Sequence, residues 1–186
     1  IGAIPYTLDM ANYDNIALGY IEMKTLLGGN VDVLINNAGI GEFALLDEIT
    51  IESFNRVFST NVFGLTLLTQ EVVKDFKIKK EGNIINIAST AATKGFAYGS
   101  VYAASKFALR GLTQCWQAEL RRFNVRVIQI NPSEVPTAFN KEDRIEREQA
   151  ENKLSPKEIA DTIVFTLEMD NRGFVPEVSV WATNPV

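Results

Sequence analysis

Four short apolar runs punctuate the chain: residues 31–37 (VDVLINN), 83–88 (NIINIA), 125–130 (VRVIQI) and, more weakly, 177–182 (EVSVWA). A nearly unbroken apolar run closed by small or polar residues predicts a strand buried on both faces. Between the runs, apolar positions recur at helical spacing over about 13–27, 51–77, 100–122 and 156–169. Thr50 is a candidate N-cap with Glu52 in the first turn, and Ser155-Pro156 followed by Lys157 and Glu158 reads as a helix start. Strands alternating with helices specify an α/β fold, a doubly wound parallel sheet in a single domain spanning 1–186. Ligands of such sheets bind beyond the carboxyl ends of the strands, so the residues after each run are the ones to inspect.

Composition narrows the chemistry. The 186 residues are 46% hydrophobic and 22% charged, as in a globular domain with a substantial core. Eighteen basic against 23 acidic residues give a net charge of −5 with no long run of either sign, which argues against nucleic acid or an anionic membrane as a partner. No stretch approaches the ~20 apolar residues of a membrane span and no signal peptide opens the sequence, so the expectation is a soluble protein of the cytoplasm. The single Cys115 excludes an internal disulfide, and its apolar helical surroundings (LTQCWQAEL) predict a buried, inert thiol. There is no histidine. That excludes Ser-His and Cys-His nucleophiles and His-ligated metals, so no metal site is expected and proton chemistry falls to Tyr, Lys, Ser, Asp or Glu.

The strand ends supply such residues. Asn36-Asn37-Ala38-Gly39 follows the first run, Ala88-Ser89-Thr90 the second and Asn131-Pro132-Ser133-Glu134-Val135-Pro136-Thr137 the third. Tyr102 and Lys106, in SVYAASKF (100–107), stand four apart on a predicted helix, with Cβ atoms roughly 5–6 Å apart. Taken singly, each has a plain reading: a turn glycine, a capping serine, a solvated helical pair. Asn61 is a poor helix former in mid-helix, which points to a functional role or a kink.

Taken together, NNAG (36–39), NVFG (61–64), Ser89, YAASK (102–106) and NPSEVPT (131–137) resemble the short-chain dehydrogenase/reductase family in its compact single-domain branch. The likeness runs from about residue 9 to the end, through SPKEIADTIVFTLEM (155–169) and EVSVWAT (177–183). It implies a Rossmann-like fold, NAD or NADP as cofactor, and hydride transfer to or from a secondary alcohol or ketone such as a 3-oxoacyl thioester or small hydroxy acid. Tyr102 would be the general acid/base. Lys106 would lower its pKa and hold the nicotinamide ribose, Ser89 would bind the substrate oxygen, and Asn61 would anchor a water linking Lys106 to solvent. An ammonium about 4 Å from a phenol contributes on the order of 4 kcal/mol at an effective dielectric of 20, enough to draw the phenol pKa toward neutrality.

By the same likeness Asp9 and Met10 would lie against the adenine, and Asn37, Ala38 and Gly39 would line the cofactor cleft. Pro132, Val135 and Thr137 would border the nicotinamide, the last two at its carboxamide. Phe96, Tyr98 and Phe139 are candidates for an apolar substrate wall. A homodimer or homotetramer would pair the helices of 51–77 and 100–122. A non-catalytic dinucleotide-binding relative and an extended-branch epimerase or dehydratase are the competing readings.

Two departures stand out. The family's TGxxxGxG turn is absent, Gly28-Gly29 being a helix-to-strand connector, so roughly two strand-helix units, including the residue that selects NAD or NADP, are expected ahead of residue 1. Ser133 replaces a customary glycine and would be strained at positive φ. Residues 140–153 (NKEDRIEREQAENK) read as a mobile lid or a solvated surface helix.

Overall fold

The structure, a computed structural model, describes residues 2–141 and 143–184. The four runs form strands β1 (Val33–Asn36), β2 (Gly82–Ile87), β3 (Val125–Pro132) and β4 (Glu177–Val180), all parallel in one sheet of order β1-β2-β3-β4. Five α-helices lie between and before them: α1 (Ile16–Leu26), α2 (Ile51–Phe58), α3 (Leu65–Lys79), α4 (Ser100–Leu120) and α5 (Pro156–Glu168).

Successive strand residues point to opposite faces, so a sheet covered on both sides needs apolar residues at every position. Ile84, Val125 and Val127 pack on one face against Val72 and Phe76 of α3, Leu120 of α4 and Tyr20 of α1. Ile85, Ile128 and Ile130 pack on the other against Ile159, Ile163 and Leu167 of α5. The expectation of burial on both faces fails at β1. Leu34 joins the first cluster, but Val33 and Ile35 are 36% and 46% exposed because α5 covers only β2 to β4.

Local signals set the helix ends. The Thr50 hydroxyl accepts from the Ser53 N–H at 3.1 Å, and at α5 the Ser155 N–H donates to the Glu158 carboxylate at 2.5 Å with Pro156 as first helical residue. The stretch 51–77 is not one regular helix. Residues Ser59–Gly64 form a π-helical turn between α2 and α3, and Asn61 sits in it. Gly64 ends that turn where a Cβ would lie 1.8 Å from the Met10 carbonyl oxygen, so only glycine lets the 9–10 segment cross there.

Two further expectations need correction. Cys115 is exposed: the buried stripe of α4 runs through Val101, Ser105, Leu109 and Thr113, and position 115 lies two residues, about 200° of helical turn, beyond it. The described part of 140–153 contains no helix. Its charged side chains reach back to the 134–137 loop instead of pairing along a helix: Arg147 donates to the carbonyls of Val135 (3.2 Å) and Thr137 (3.3 Å), and Gln149 to that of Pro136 (2.7 Å).

Candidate active site

The carboxyl ends of β1 and β2 are locked to the helices by a buried polar ladder. Asn36 and Asn86 are register partners, and the Asn36 amide donates to Asn86 Oδ1 at 2.9 Å and to Thr69 Oγ1 of α3 at 3.0 Å. The Asn86 amide donates to Thr113 Oγ1 of α4 at 2.8 Å, and both threonine hydroxyls donate to helix carbonyls. A satisfied network of this kind is rigid and directional where an apolar contact would slide. It fixes where Asn37-Ala38-Gly39 and Ser89 emerge. Asn36 entered the sequence reading only as part of NNAG, and Thr69, Asn86 and Thr113 not at all; the signal was the repetition of Asn at the same register in two apolar runs.

Asn61, 1% exposed, clamps the loop after β1. Its Oδ1 accepts from the Ile40 N–H at 2.9 Å, and its Nδ2 donates to the Ile40 carbonyl at 2.9 Å and to Ser105 Oγ at 3.0 Å. Ser105 in turn donates to the Tyr102 carbonyl at 2.7 Å. One buried amide therefore ties the strand-end loop to the turn of α4 that carries Tyr102 and Lys106.

Lys106, 5% exposed, donates from Nζ to the Ile87 carbonyl at the end of β2, at 3.0 Å. Burial pushes its ammonium down to a pKa of about 8. A Cβ on Gly39 would stand 3.3 Å from Asn61 Oδ1 and 3.6 Å from Lys106 Nζ, so glycine keeps the space above this amine open. An ammonium has three donors and Ile87 takes one, which leaves capacity for ligand hydroxyls.

Tyr102 lies one turn before it, with Nζ 5.7 Å from the ring centroid. Burial raises the phenol pKa, and a hydrogen bond with the Ser89 hydroxyl opposes that in part. The expected lowering by Lys106 is absent: its amine is held by the Ile87 carbonyl, and desolvation dominates both groups. Ser89 also accepts from the Ala91 N–H at 3.1 Å, which holds its hydroxyl at the strand end.

Aromatic rings enclose the phenol. Phe43 and Phe139 lie 5.6 and 5.8 Å from the Tyr102 ring, and Phe96 lies 6.1 Å from Phe43. Phe139 thus lies against the phenol ring and Phe96 reaches it only through Phe43, whereas Tyr98 contributes its carbonyl, which accepts from the Ala44 N–H at 2.9 Å; the rings of Phe96 and Tyr98 are 50% and 56% exposed. Phe43 was missed because residues 40–49 have no periodicity to read. Beside these rings opens a cavity of about 730 Å³ lined by Gly39, Ile40, Gly41, Phe43, Val101 and Asn140, among others.

The remaining cofactor candidates sit on surrounding loops. Asn37 and Ala38 are exposed at the end of β1, and Asp9 Oδ1 accepts from the Ala11 N–H at 2.9 Å, as a local cap. Met10 lies against Gly64 through its carbonyl. Pro132 ends β3, Ser133 donates its N–H to the Val180 carbonyl at 2.8 Å without positive φ, and Thr137 Oγ1 accepts from the Phe139 N–H at 3.2 Å. Serine at 133 is therefore unstrained. Among the described residues no acidic or cysteine cluster could hold a metal ion, and no helix is long and apolar enough to cross a membrane.

Known proteins resemble this chain in sequence and fold. A family model described as short chain dehydrogenase matches residues 2–148. The chain is similar to sepiapterin reductase of Chlorobaculum tepidum, with 32% identity over 176 residues covering 95% of this chain and 70% of that protein. It is 31% identical over 193 residues to an NADP-dependent 3-hydroxy acid dehydrogenase of Schizosaccharomyces pombe, covering 99% of this chain and 74% of the other. A metagenomic short-chain oxidoreductase in complex with NADP superposes with a TM-score of 0.78 at 28% identity, over 94% of this chain and 72% of that one. The chain therefore belongs to the short-chain dehydrogenase family, whose members are NAD(P)-dependent oxidoreductases acting on CH–OH groups.

Proposed function

We propose that this chain interconverts a ketone and a secondary alcohol with NAD or NADP, Tyr102 serving as the proton donor and acceptor. The observation that carries the reading is the grouping of the Tyr102 phenol, the Ser89 hydroxyl and the buried Lys106 amine at the end of β2, under the rings of Phe43 and Phe139 and beside a cavity that Phe43 lines. The residues present fit a nicotinamide nucleotide: the space kept open by Gly39 adjoins an amine with unused donors, suited to ribose hydroxyls.

The cofactor, when bound, supplies a hydride to the carbonyl carbon or accepts one from the carbinol carbon. In reduction Ser89 holds the carbonyl oxygen and Tyr102 gives its proton to that oxygen. A raised pKa suits this direction, since the phenol keeps its proton at neutral pH. Lys106, with Nζ 5.7 Å from the ring centroid and donors left over from the Ile87 carbonyl, is placed to hold the cofactor beside the phenol. Asn61 positions the loop of Gly39 rather than touching substrate. The active form is a homodimer or homotetramer built on the outer faces of α2, α3 and α4, where Ile51, Ile78 and Phe107 are exposed.

The test is oxidation of reduced nicotinamide by the full-length protein, followed by absorbance against a ketone panel and repeated with Tyr102→Phe. Loss of about 10²–10⁴-fold in kcat with cofactor binding retained is expected. A variant keeping more than about a tenth of wild-type kcat would refute the assignment.

A further inference from the structure

The cavity and the phenol do not share a wall, and one ring stands at the border between them. The cavity is lined by Gly41, Phe43, Val101 and Asn140 among others, while Tyr102, Ser89 and Lys106 form no part of its lining. Phe43 belongs to both sides: it lines the cavity, and its ring lies 5.6 Å from that of Tyr102, tilted by 55°. A ketone held in the cavity therefore brings its carbonyl to Tyr102 past the edge of this ring.

Phe43 is not a core residue. It is 47% exposed and, among the described residues, joins none of the buried clusters on either face of the sheet. Its backbone is nonetheless fixed on both sides. The Gly41 N–H donates to Asn140 Oδ1 at 3.0 Å, Glu42 is ion-paired with Arg56 of α2, and the Ala44 N–H donates to the Tyr98 carbonyl at 2.9 Å. Tyr98 is itself held at a φ of 67°, a left-handed conformation that a tyrosine adopts under strain. Gly41 completes the arrangement. A Cβ there would stand 2.9 Å from the Phe43 ring and 3.2 Å from the Phe139 ring, so both rings converge on the glycine and leave little gap beside the phenol. Three anchors on an exposed loop hold this ring for the site and not for the core.

We propose that Phe43 is the specificity-determining residue of this site: its ring partitions the cavity from the phenol, admitting carbonyls flanked by an unbranched carbon and turning away those flanked by a branched one. This rests on the proposed oxidoreductase reading. A methylene chain slips past a ring edge that a quaternary carbon would overlap, and rings packed on one another above a pinned backbone yield little.

Hexan-2-one and 3,3-dimethylbutan-2-one, isomers that differ in branching next to the carbonyl, test this with the full-length protein and reduced nicotinamide. The wild type should favour the linear isomer in kcat/KM by about a hundredfold or more, and Phe43→Ala should lower that ratio about tenfold by speeding reduction of the branched isomer. Phe43→Tyr keeps the ring and should keep the ratio. Phe139→Ala removes a ring outside the cavity lining and should move the ratio less than Phe43→Ala does. A ratio unchanged in Phe43→Ala, or lowered as far by Phe139→Ala, would overturn the inference. Should neither ketone be reduced, the oxidoreductase reading fails separately. Nitration of Tyr102 by tetranitromethane, read by peptide mass spectrometry against Tyr13, then decides the partition: Tyr102 should react several-fold faster in Phe43→Ala than in the wild type, and equal rates overturn it.

Discussion

Burial of Lys106 should be visible as a pH dependence of folding. Its ammonium pKa falls from an ordinary 10.5 to about 8 in the folded chain, through desolvation. Below pH 8 both folded and unfolded states carry the proton, and the folded state bears the whole cost of a buried charge, about 3 kcal/mol. Between pH 7.5 and 9.5 the folded amine releases its proton while the unfolded one keeps it. Unfolding then takes up a proton, so stability rises with pH, by about 2 kcal/mol over that interval. Above pH 10 the trend reverses, because burial raises the pKa values of Tyr20 and Tyr102, helped at Tyr20 by the Asp75 hydrogen bond, and their unfolded forms ionise first. Urea denaturation followed by tryptophan fluorescence at half-unit pH steps should therefore show a rise and then a fall for the wild type. Lys106→Met should lack the rise. A flat or falling wild-type curve from pH 7.5 to 9.5, or an equal rise in the variant, would show that the amine is solvated in the folded state.

Replacing Asn86 by Val takes one acceptor from the Asn36 amide, which keeps Thr69, and one donor from the Thr113 hydroxyl, which keeps the Leu109 carbonyl, and should cost about 1–3 kcal/mol in denaturant unfolding; no measurable loss would mean the ladder is dispensable. Gly64→Ala sets a methyl against the Met10 carbonyl, so it should destabilise by about 1–3 kcal/mol and weaken NADP binding by displacing the 9–10 segment. Gly111→Ala, in mid α4 with nothing within 4 Å of the added carbon, should instead stabilise by about 0.5–1 kcal/mol. If both glycine variants shift the midpoint the same way, the close approach at Gly64 is not what that glycine is for.

Reading hydrophobic periodicity located all four strands and the main helices, because β2 and β3 are covered on both sides and their apolar runs have no other explanation. The same reasoning overreached at β1, where apolar Val33 and Ile35 are exposed; a sequence shows that a residue is apolar, not that a helix reaches it. Tyr102 and Lys106 stood out by their helical spacing and Ser89 by its place at a strand end, whereas the roles proposed for them and for Asn61 came from the family resemblance. Phe43 and the Asn36–Asn86 ladder did not stand out: one lies in an aperiodic loop, and the other depends on strand register, which local pattern leaves open. The pKa of Tyr102 was misjudged for a related reason. Spacing gave the distance scale between phenol and amine, whereas desolvation depends on chain segments far away in sequence.

The π-helical turn at Ser59–Gly64 has a consequence for how this helix can change over evolutionary time. A wider turn accommodates one residue more than an α-helix of the same rise, so deleting one of the six would regularise the helix while leaving α2 and α3 in phase, and would remove the local offset that turns Asn61 toward Ile40. Asn61 would then face away from Ile40, and the loop carrying Gly39 would lose its clamp. Length here is as constrained as residue identity: substitutions along the turn's outer surface are open to drift, but a single-codon deletion would uncouple the two halves of the helix from the chemistry between them.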